Sequence, residues 1–396
     1  MKPNFTTLFC LLSEQMVPNL LSVHHFRPDW LVLLESADMR GKRSAERLLK
    51  ALQIGGLDYR EHCFVAPLEE EQNLESVRKS LQWAYEQRPE DEWLANITGG
   101  TKLMSLAAYE FFRGRGARLI YIDASKPTVL LDLGGRPSES CDHRLTIKEF
   151  LASYGFEQHK SDRNVAEAEE RARRWWSCAR EIARDNLATG LLKLNDKDRN
   201  KARRKGIELT GQCLTGLKPG LRASIAETFH LDDKGGGLHG RLDKYGAQFL
   251  TGGWLEVFFW GLLDRHAESM GIWDVRLGLE IGPAGLEASN DLDVAFMHNH
   301  TLCTVECKTG AQEHDAGADG LYKIEAIIRQ TRALRVRSYL ATTSGNVLDK
   351  DGSLKPGVKA RANLYNCRIL TRDKIQQLAV SDEPASLLAE LLGFRG

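Results

Sequence analysis

Through the first third of the chain, short apolar runs alternate with amphipathic stretches. FTTLFCLL, WLVLLES, YREHCFVA, EWLANIT and ARLIYID have the length and composition of strands. Between them, MVPNLLSVHHF, GKRSAERLLKAL, NLESVRKSLQWAYEQR and KLMSLAAYEFFRGR space their apolar residues as helices do. Strand and helix in regular alternation predict an α/β domain with a parallel, doubly wound sheet. Ligands of such sheets sit beyond the carboxyl ends of the strands, where the strand order reverses. PTVLLDL adds an edge strand, and the Gly/Pro/Ser-rich GGRPSESC closes the domain near residue 145.

Beyond Leu145 the pattern turns helical and charged, with no convincing strand before Thr228, so residues 146–229 read as a helical connector or subdomain. Two glycine clusters in LDDKGGGLHGRLDKYGAQFLTGG then open a second, mixed α/β domain over residues 230–396. Its elements are a helix at GGWLEVFFWGLLDRHAESM, a hairpin, a helix at YKIEAIIRQTRAL and a strand at SYLATTS.

The hairpin breaks the apolar pattern. NDLDVAFMHNHTLCTVECKTG places Asp291 and Asp293 on one strand-like run and Glu306 and Lys308 on the next, with the turn at His298, Asn299 and His300. Period two puts Glu306 and Lys308 on one face and Cys303, Val305 and Cys307 on the other, where the cysteines pack in the core. Asp293 shares the face of Glu306 if it pairs with Thr304 or Glu306, but not if it pairs with Val305; the sequence leaves that register open. Carboxylates held close together repel unless a divalent cation or a proton compensates. Oxygen ligands favour Mg²⁺ or Mn²⁺, and a cation there with a lysine beside it suits phosphodiester hydrolysis. E-x-K alone is a common pattern that an exposed Glu-Lys pair explains, and the preceding L-D-V acid adds weight. His298 and His300 form an H-x-H, but no third zinc ligand lies at a matching spacing, so they read as turn histidines.

Composition limits the options. With 396 residues, 42% hydrophobic and 27% charged, the chain has room for two cores. It has no apolar run of membrane-spanning length and no cleavage-site pattern after FTTLFCLL, and its eight cysteines include no C-x-x-C pair. A reducing cytoplasm is the expected location. Formal charge is zero, so the overall field attracts no polyanion. Basic residues nevertheless cluster in RARRWW, in DKDRNKARRKG, and at Arg329, Arg332, Arg335 and Arg337; such clusters track phosphates, and they also occur on solvated helix faces.

NITGGTKLMSLAAYEFF joins a strand to a helix through Gly99 and Gly100, followed by Thr101 and Lys102. Glycines admit close backbone approach, helix N-H groups favour phosphate, and lysine adds charge. The motif is neither G-x-G-x-x-G nor a P-loop, which lowers support for dinucleotide oxidoreductases and NTPases.

These residues carry two resemblances. Asp293 with Glu306, Cys307 and Lys308 resembles the PD-(D/E)xK nuclease superfamily. That resemblance implies a metal held by Asp293, Glu306 and the Cys307 carbonyl, Lys308 in catalysis, Glu256 as the helical acid, and Asp291, Lys323 and Gln330 as accessories. The N-terminal part resembles a CARF domain, the Rossmann-like sensor of cyclic oligoadenylates in type III CRISPR defence. There the implied ligand residues are Ser13, Glu14, Gln15, Pro18 and Asn19 after the first strand, Ser36, Ala37 and Asp38 after the second, and Thr98, Gly99, Gly100, Thr101, Lys102 and Met104 at the glycine turn. Together they resemble CRISPR ancillary nucleases activated by cyclic tetra-adenylate: homodimers that cut DNA, with RNA as a further substrate, and have no membrane association. The alternatives are a ligand-controlled nucleic-acid-binding regulator with a nuclease-like domain, or a restriction-type nuclease with an unrelated sensor. Paired acids near phosphates argue against the regulator.

Overall fold

The alternation of the first third is realised as a seven-stranded sheet: β1 (Thr6–Leu11), β2 (Trp30–Ser36), β3 (Cys63–Leu68), β4 (Glu92–Asn96), β5 (Arg118–Ile122), β6 (Val129–Asp132) and β7 (Glu139–Ser140). The computed structural model describes all residues except 1–5, 124–128, 186–190, 193, 212–213, 215, 288, 311–335 and 395–396. It divides into two compact units. The first comprises Met1–Gln158, Gly282–Ser289 and Asn299–Thr301, and the second His159–Ile281, Asn290–His298 and Leu302–Gly396.

In the first unit the strand order is β3-β2-β1-β4-β5-β6-β7. β1 to β5 pair in parallel and the last two strands antiparallel. The chain therefore builds one way from β1 to β3 and then crosses back to lay β4 against β1, which creates the switch point between β1 and β4. Helices α1 (Val17–Phe26) and α3 (Ser44–Ile54) lie on one face, with α2 (Ala37–Gly41) just after β2; α4 (Leu74–Glu86) and α5 (Lys102–Arg113) cover the other. Leu8 and Cys10 join Leu20, Leu21 and Leu48 in one core, while their neighbours Phe9 and Leu11 join Val77, Leu81 and Phe112 in another. A strand buried on both faces reads as a continuous apolar run, which is why FTTLFCLL shows no alternation. Helix α6 (Ile147–Ser153) packs on α3 in the same unit, and β8 (Phe156–Gln158) follows it.

Helices α7 (Asp162–Arg184), α8 (Asp196–Lys205) and α9 (Pro219–Phe229) lie in the second unit, so residues 146–229 form no unit of their own. This stretch also holds two strands where none was expected, β8 and β9 (Ile207–Thr210). Three and four residues are too few to establish a period, and in IELT only Leu209 is buried. β10 (Asp232–Lys234) and β11 (Gly237–Leu242) complete a small antiparallel sheet in the order β10-β11-β9.

After α10 (Lys244–Gln248) and a π-helical turn at Phe249–Gly253 comes α11 (Trp254–Arg265), apolar nearly all round and the centre of the second core. Gly261 lets it meet α7: a Cβ there would stand 1.9 Å from Trp176 Cδ1. Trp176 Nε1 donates to the Phe258 carbonyl at 3.3 Å across the same contact. The larger sheet of this unit runs β16-β15-β14-β13-β12, with β12 (Ile272–Pro283), β13 (Asn290–His298), β14 (Thr301–Lys308), β15 (Val336–Thr342) and β16 (Cys367–Leu370). The helix expected at YKIEAIIRQ lies outside the described residues, and Lys323 and Gln330 lie there with it. Among the described residues, no helix is long and apolar enough to cross a membrane.

Candidate functional site

β13 turns into β14 through Asn299 and His300, both at positive φ (47° and 54°), the conformation that two-residue hairpin turns require. Counting back from this turn brings Asp293 opposite Glu306, on the face that Lys308 shares. The polar contacts agree. Cys307 N-H donates to Asp293 Oδ2 at 2.7 Å, and Lys308 Nζ lies 2.6 Å from Glu306 Oε1. On the opposite face Cys303, Val305 and Cys307 sit in the core. His298 ends β13 in a structural setting, stacked on Phe394 with its Nδ1 3.2 Å from Arg337 Nη1.

Glu256, in the first turn of α11, completes the cluster. Burial pushes its carboxyl well above the usual carboxylate range, and the Asp293 and Glu306 charges push the same way against Lys308 and Arg203. Burial alone would lower the Lys308 pKa, but the Glu306 and Asp293 charges outweigh it and raise the pKa. Asp291, by contrast, is exposed and stands opposite Glu280 of β12.

This set fits Mg²⁺ or Mn²⁺ on donor chemistry. Its acids are oxygen donors in mutual repulsion that a cation relieves. The Cys307 thiol is buried and its pKa pushed far up, which leaves only the backbone of that residue for coordination. Two further features escaped the sequence. Arg203, at the end of α8, acts on Glu256 from a run that reads as a solvated helix face. Gly252 (φ 142°) lets the π-helical turn approach the end of β14, for a Cβ there would meet Thr309 Oγ1 at 2.4 Å.

The sensor candidates gather around the switch point. Thr98 to Lys102 follow β4 and Ser13 to Gln15 follow β1, the two strands that flank it. Gly99 touches the end of β1: a Cβ would lie 2.3 Å from the Leu11 carbonyl oxygen. Gly100 takes φ 74°, and Thr101 caps α5 by accepting from Met104 N-H at 3.3 Å. Lys102 is exposed at the helix start, whereas Met104 is buried. Lys42 Nζ ties Glu14 Oε1 to Asp38 Oδ2, each at 2.7 Å, and so links the loops after β1 and β2. Ser36 Oγ caps α2, and Ala37 and Asp38 are exposed.

Pro18 and Asn19 are enclosed instead. Asn19 Nδ2 donates to the Leu11 carbonyl at 2.9 Å, and the Asn19 side-chain oxygen and the Pro18 carbonyl accept from Asn96 Nδ2. Asn96 Oδ1 in turn accepts from Thr98 Oγ1 at 2.6 Å and from Thr98 N-H. Sequence reading missed Asn96, which looks like one more residue of an apolar strand and is the hub of this network.

Fold and clusters together define an endonuclease domain joined to a CARF sensor domain. The family description "Card1 CARF domain" matches residues 7–150 and "Card1-like, endonuclease domain" matches residues 243–374. The chain belongs to the Card1-like CRISPR ancillary nucleases. No curated protein matches it. Among solved structures it is similar to Can2 from Sulfobacillus thermosulfidooxidans in complex with cyclic tetra-adenylate (21% identity, TM-score 0.68, 98% of this chain and 99% of that one). Protein VC1899 from Vibrio cholerae is also similar (18% identity, TM-score 0.75, 98% and 97% covered). So is a type III CRISPR defence DNA nuclease activated by cyclic oligoadenylate (20% identity, TM-score 0.50, 90% and 51% covered).

Proposed function

We propose that this chain is a divalent-metal-dependent endonuclease that nicks or cleaves single strands of DNA, accepts RNA as well, and is switched on by cyclic tetra-adenylate in the cytoplasm. The convergence of Asp293, Glu306, Lys308 and Glu256 within a Card1-like endonuclease domain carries the reading. Asp293, Glu306 and the Cys307 carbonyl would hold Mg²⁺ or Mn²⁺, which when bound polarises a phosphoryl oxygen and makes a bound water acidic. Lys308, held beside Glu306, stabilises charge growing on the phosphate. Glu256, whose carboxyl pKa is pushed up by burial and the neighbouring acids, would give up its proton more readily beside a bound cation. Asp291 is exposed at the start of its strand and serves as an accessory. Lys323 and Gln330 keep the accessory roles that the family resemblance implies.

At the sensor, Lys102 and the backbone from Thr98 to Thr101 contact the activator, with Ser13, Glu14, Gln15, Ala37 and Asp38 on the same rim. Pro18, Asn19, Ser36 and Met104 are buried supports that hold these loops in place. A cyclic tetra-adenylate has two-fold symmetry, so two copies of the rim facing each other would enclose it, which makes a homodimer the active form. Tighter ligand binding to the active arrangement than to the resting one would supply the coupling.

The test is incubation of the protein with supercoiled plasmid, single-stranded DNA and RNA, with and without Mn²⁺, across a panel of cyclic oligoadenylates. Cleavage should require Mn²⁺ and rise with the tetra-adenylate. Cutting that persists, with the same metal and ligand dependence, in a Glu306→Ala protein overturns the site assignment.

A further inference from the structure

The basic run DKDRNKARRKG folds as α8 in the second unit, and its charge is divided end to end. Asp196 and Asp198 occupy the first turn, and Arg203, Arg204 and Lys205 the last. Cations at the end of a helix ordinarily answer the helix dipole and cap its last carbonyls. Here side chains from other elements already do the capping. Gln248 Nε2 donates to the Arg203 carbonyl at 2.9 Å, and Arg241 Nη2 donates to the Lys205 carbonyl at 3.0 Å. Arg199, one turn earlier, is committed to Asp196 at 2.9 Å. The three terminal cations are exposed, and among the described residues no carboxylate lies within ion-pair distance of any of them.

This helix is tied to the elements that carry the acid cluster. Before it, the N-H groups of Leu191 and Leu192 both donate to the Leu250 carbonyl, at 2.9 and 3.3 Å, within the π-helical turn that leads into α11. After it, Gly206 (φ 79°) lets the chain pass close to β11, where a Cβ would stand 2.3 Å from the Leu242 carbonyl oxygen. Gln248, which holds the Arg203 carbonyl, ends α10 just ahead of the same turn. That turn meets Thr309, beside Lys308, through Gly252. Successive helical side chains point about 100° apart, so the three cations face different ways. Ala202 is buried, and of the cations on α8 it is Arg203 whose charge acts most on Glu256, drawing that carboxyl down against the upward push of burial.

A substrate strand adds negative charge to a cluster of three acids and one lysine. A divalent cation offsets the acids at the phosphate being cut, but the phosphates on either side of it need cations of their own. The chain's zero formal charge supplies no general attraction, so the contact must be local. We propose that Arg203 binds a backbone phosphate next to the scissile one, and that the end of α8 thereby holds the nucleic-acid strand in register with the catalytic cluster. The inference rests on the nuclease reading and extends it to the path of the strand. A guanidinium can meet a phosphate with two parallel hydrogen bonds, and the pinned backbone of α8 fixes where that fork is offered. Phosphate contacts position a strand without reading its bases, so Arg203 sets the placement of the cut phosphodiester and not a sequence preference.

The test measures binding of a fluorescent single-stranded DNA oligonucleotide by anisotropy over a series of NaCl concentrations, with cyclic tetra-adenylate present and Ca²⁺ in place of Mn²⁺. A gel checks that the probe stays intact. Arg203→Gln should weaken binding about tenfold at low salt and reduce the slope of log affinity against log salt by about 0.7, the loss of one single-strand phosphate contact. Arginine and glutamine have similar helix propensity, and the melting midpoint checks that the fold is kept. Arg203→Lys should keep most of the slope while losing part of the affinity, because the charge stays and the fork goes. Lys197→Gln removes the same charge from the opposite end of α8 and should leave both quantities as in the wild type. Cleavage in Mn²⁺ is followed on the same preparations, which checks the nuclease reading separately. A wild type that cuts, with Arg203→Gln matching its affinity and slope, overturns the role of Arg203 and leaves the nuclease reading standing. Equal losses in Arg203→Gln and Lys197→Gln overturn it too, by reducing α8 to diffuse charge. A wild type that neither cuts nor binds overturns the nuclease reading and this inference with it.

Discussion

The two units treat buried polar groups in opposite ways. At the sensor switch point they satisfy one another: one Asn96 carboxamide serves Asn19, Ser22 and Thr98, all within ordinary hydrogen-bond distance. At the end of β14, Asp293, Glu306 and Glu256 crowd around one lysine, and burial with mutual repulsion pushes the Glu256 carboxyl well above the usual carboxylate range. A complete network holds loops in a fixed shape with little electrostatic stress. A crowded acid cluster stays stressed until a cation enters. The first arrangement suits a frame that presents backbone and a few side chains to a ligand, and the second suits chemistry that must grip a metal.

The sharpest way to break this contrast is to remove charge from the crowded site. Glu306→Gln should lower cleavage by on the order of 10²–10³-fold or more, in line with the loss of one key electrostatic group, while activator affinity stays unchanged. Plasmid nicking and ligand titration on the same preparation check both halves. In the sensor, the corresponding break is steric. Gly99→Ala sets a Cβ against the Leu11 carbonyl, so β1 or the turn must move, at a cost of about 1–3 kcal/mol. Activator binding should fall at least about tenfold, with basal cutting untouched. Asn96→Ala is the network counterpart. It leaves several buried groups unpaired, at about 1–3 kcal/mol each, and should lower the melting midpoint by about 2–4 °C per kcal/mol without altering metal affinity.

How legible these two sites were follows from the same contrast. The doubly wound sheet was plain because strands buried on both faces give continuous apolar runs with helices between them. The acid cluster was visible because charge in an apolar hairpin is anomalous, yet its register was not, since that depends on whether Asn299 and His300 alone make the turn. Asn96 was invisible because one polar residue in EWLAN has no period, and its partners are distant in sequence. β8 and β9 were missed because strands so short belong to sheets assembled from far along the chain. Local periodicity gave the elements, and long-range pairing decided what those elements hold.

The stressed site also makes a pH prediction of fixed sign. An acid whose folded pKa is raised binds its proton more tightly in the folded state than in the unfolded one, so metal-free stability falls as pH rises between the ordinary 4.5 and about 8. A cation competes with that proton, so Mn²⁺ should raise the melting midpoint more at the upper end of this window than at the lower. Glu256→Gln should flatten the metal-free dependence. A midpoint in Glu256→Gln protein that still falls with pH as in the wild type would place the stress on another group.

The smallest expected effect separates the two units most cleanly. Lys102 is exposed at the start of α5, beside the glycine turn, so its removal disturbs neither core. Lys102→Ala should weaken cyclic tetra-adenylate binding about tenfold, the worth of one partly screened charge on a phosphate, with the melting midpoint unchanged. Calorimetric titration at two salt concentrations checks it, because a phosphate contact must lose part of its contribution as salt rises. An affinity that ignores both the substitution and the salt would remove Lys102 from the ligand and leave recognition to the backbone from Thr98 to Thr101.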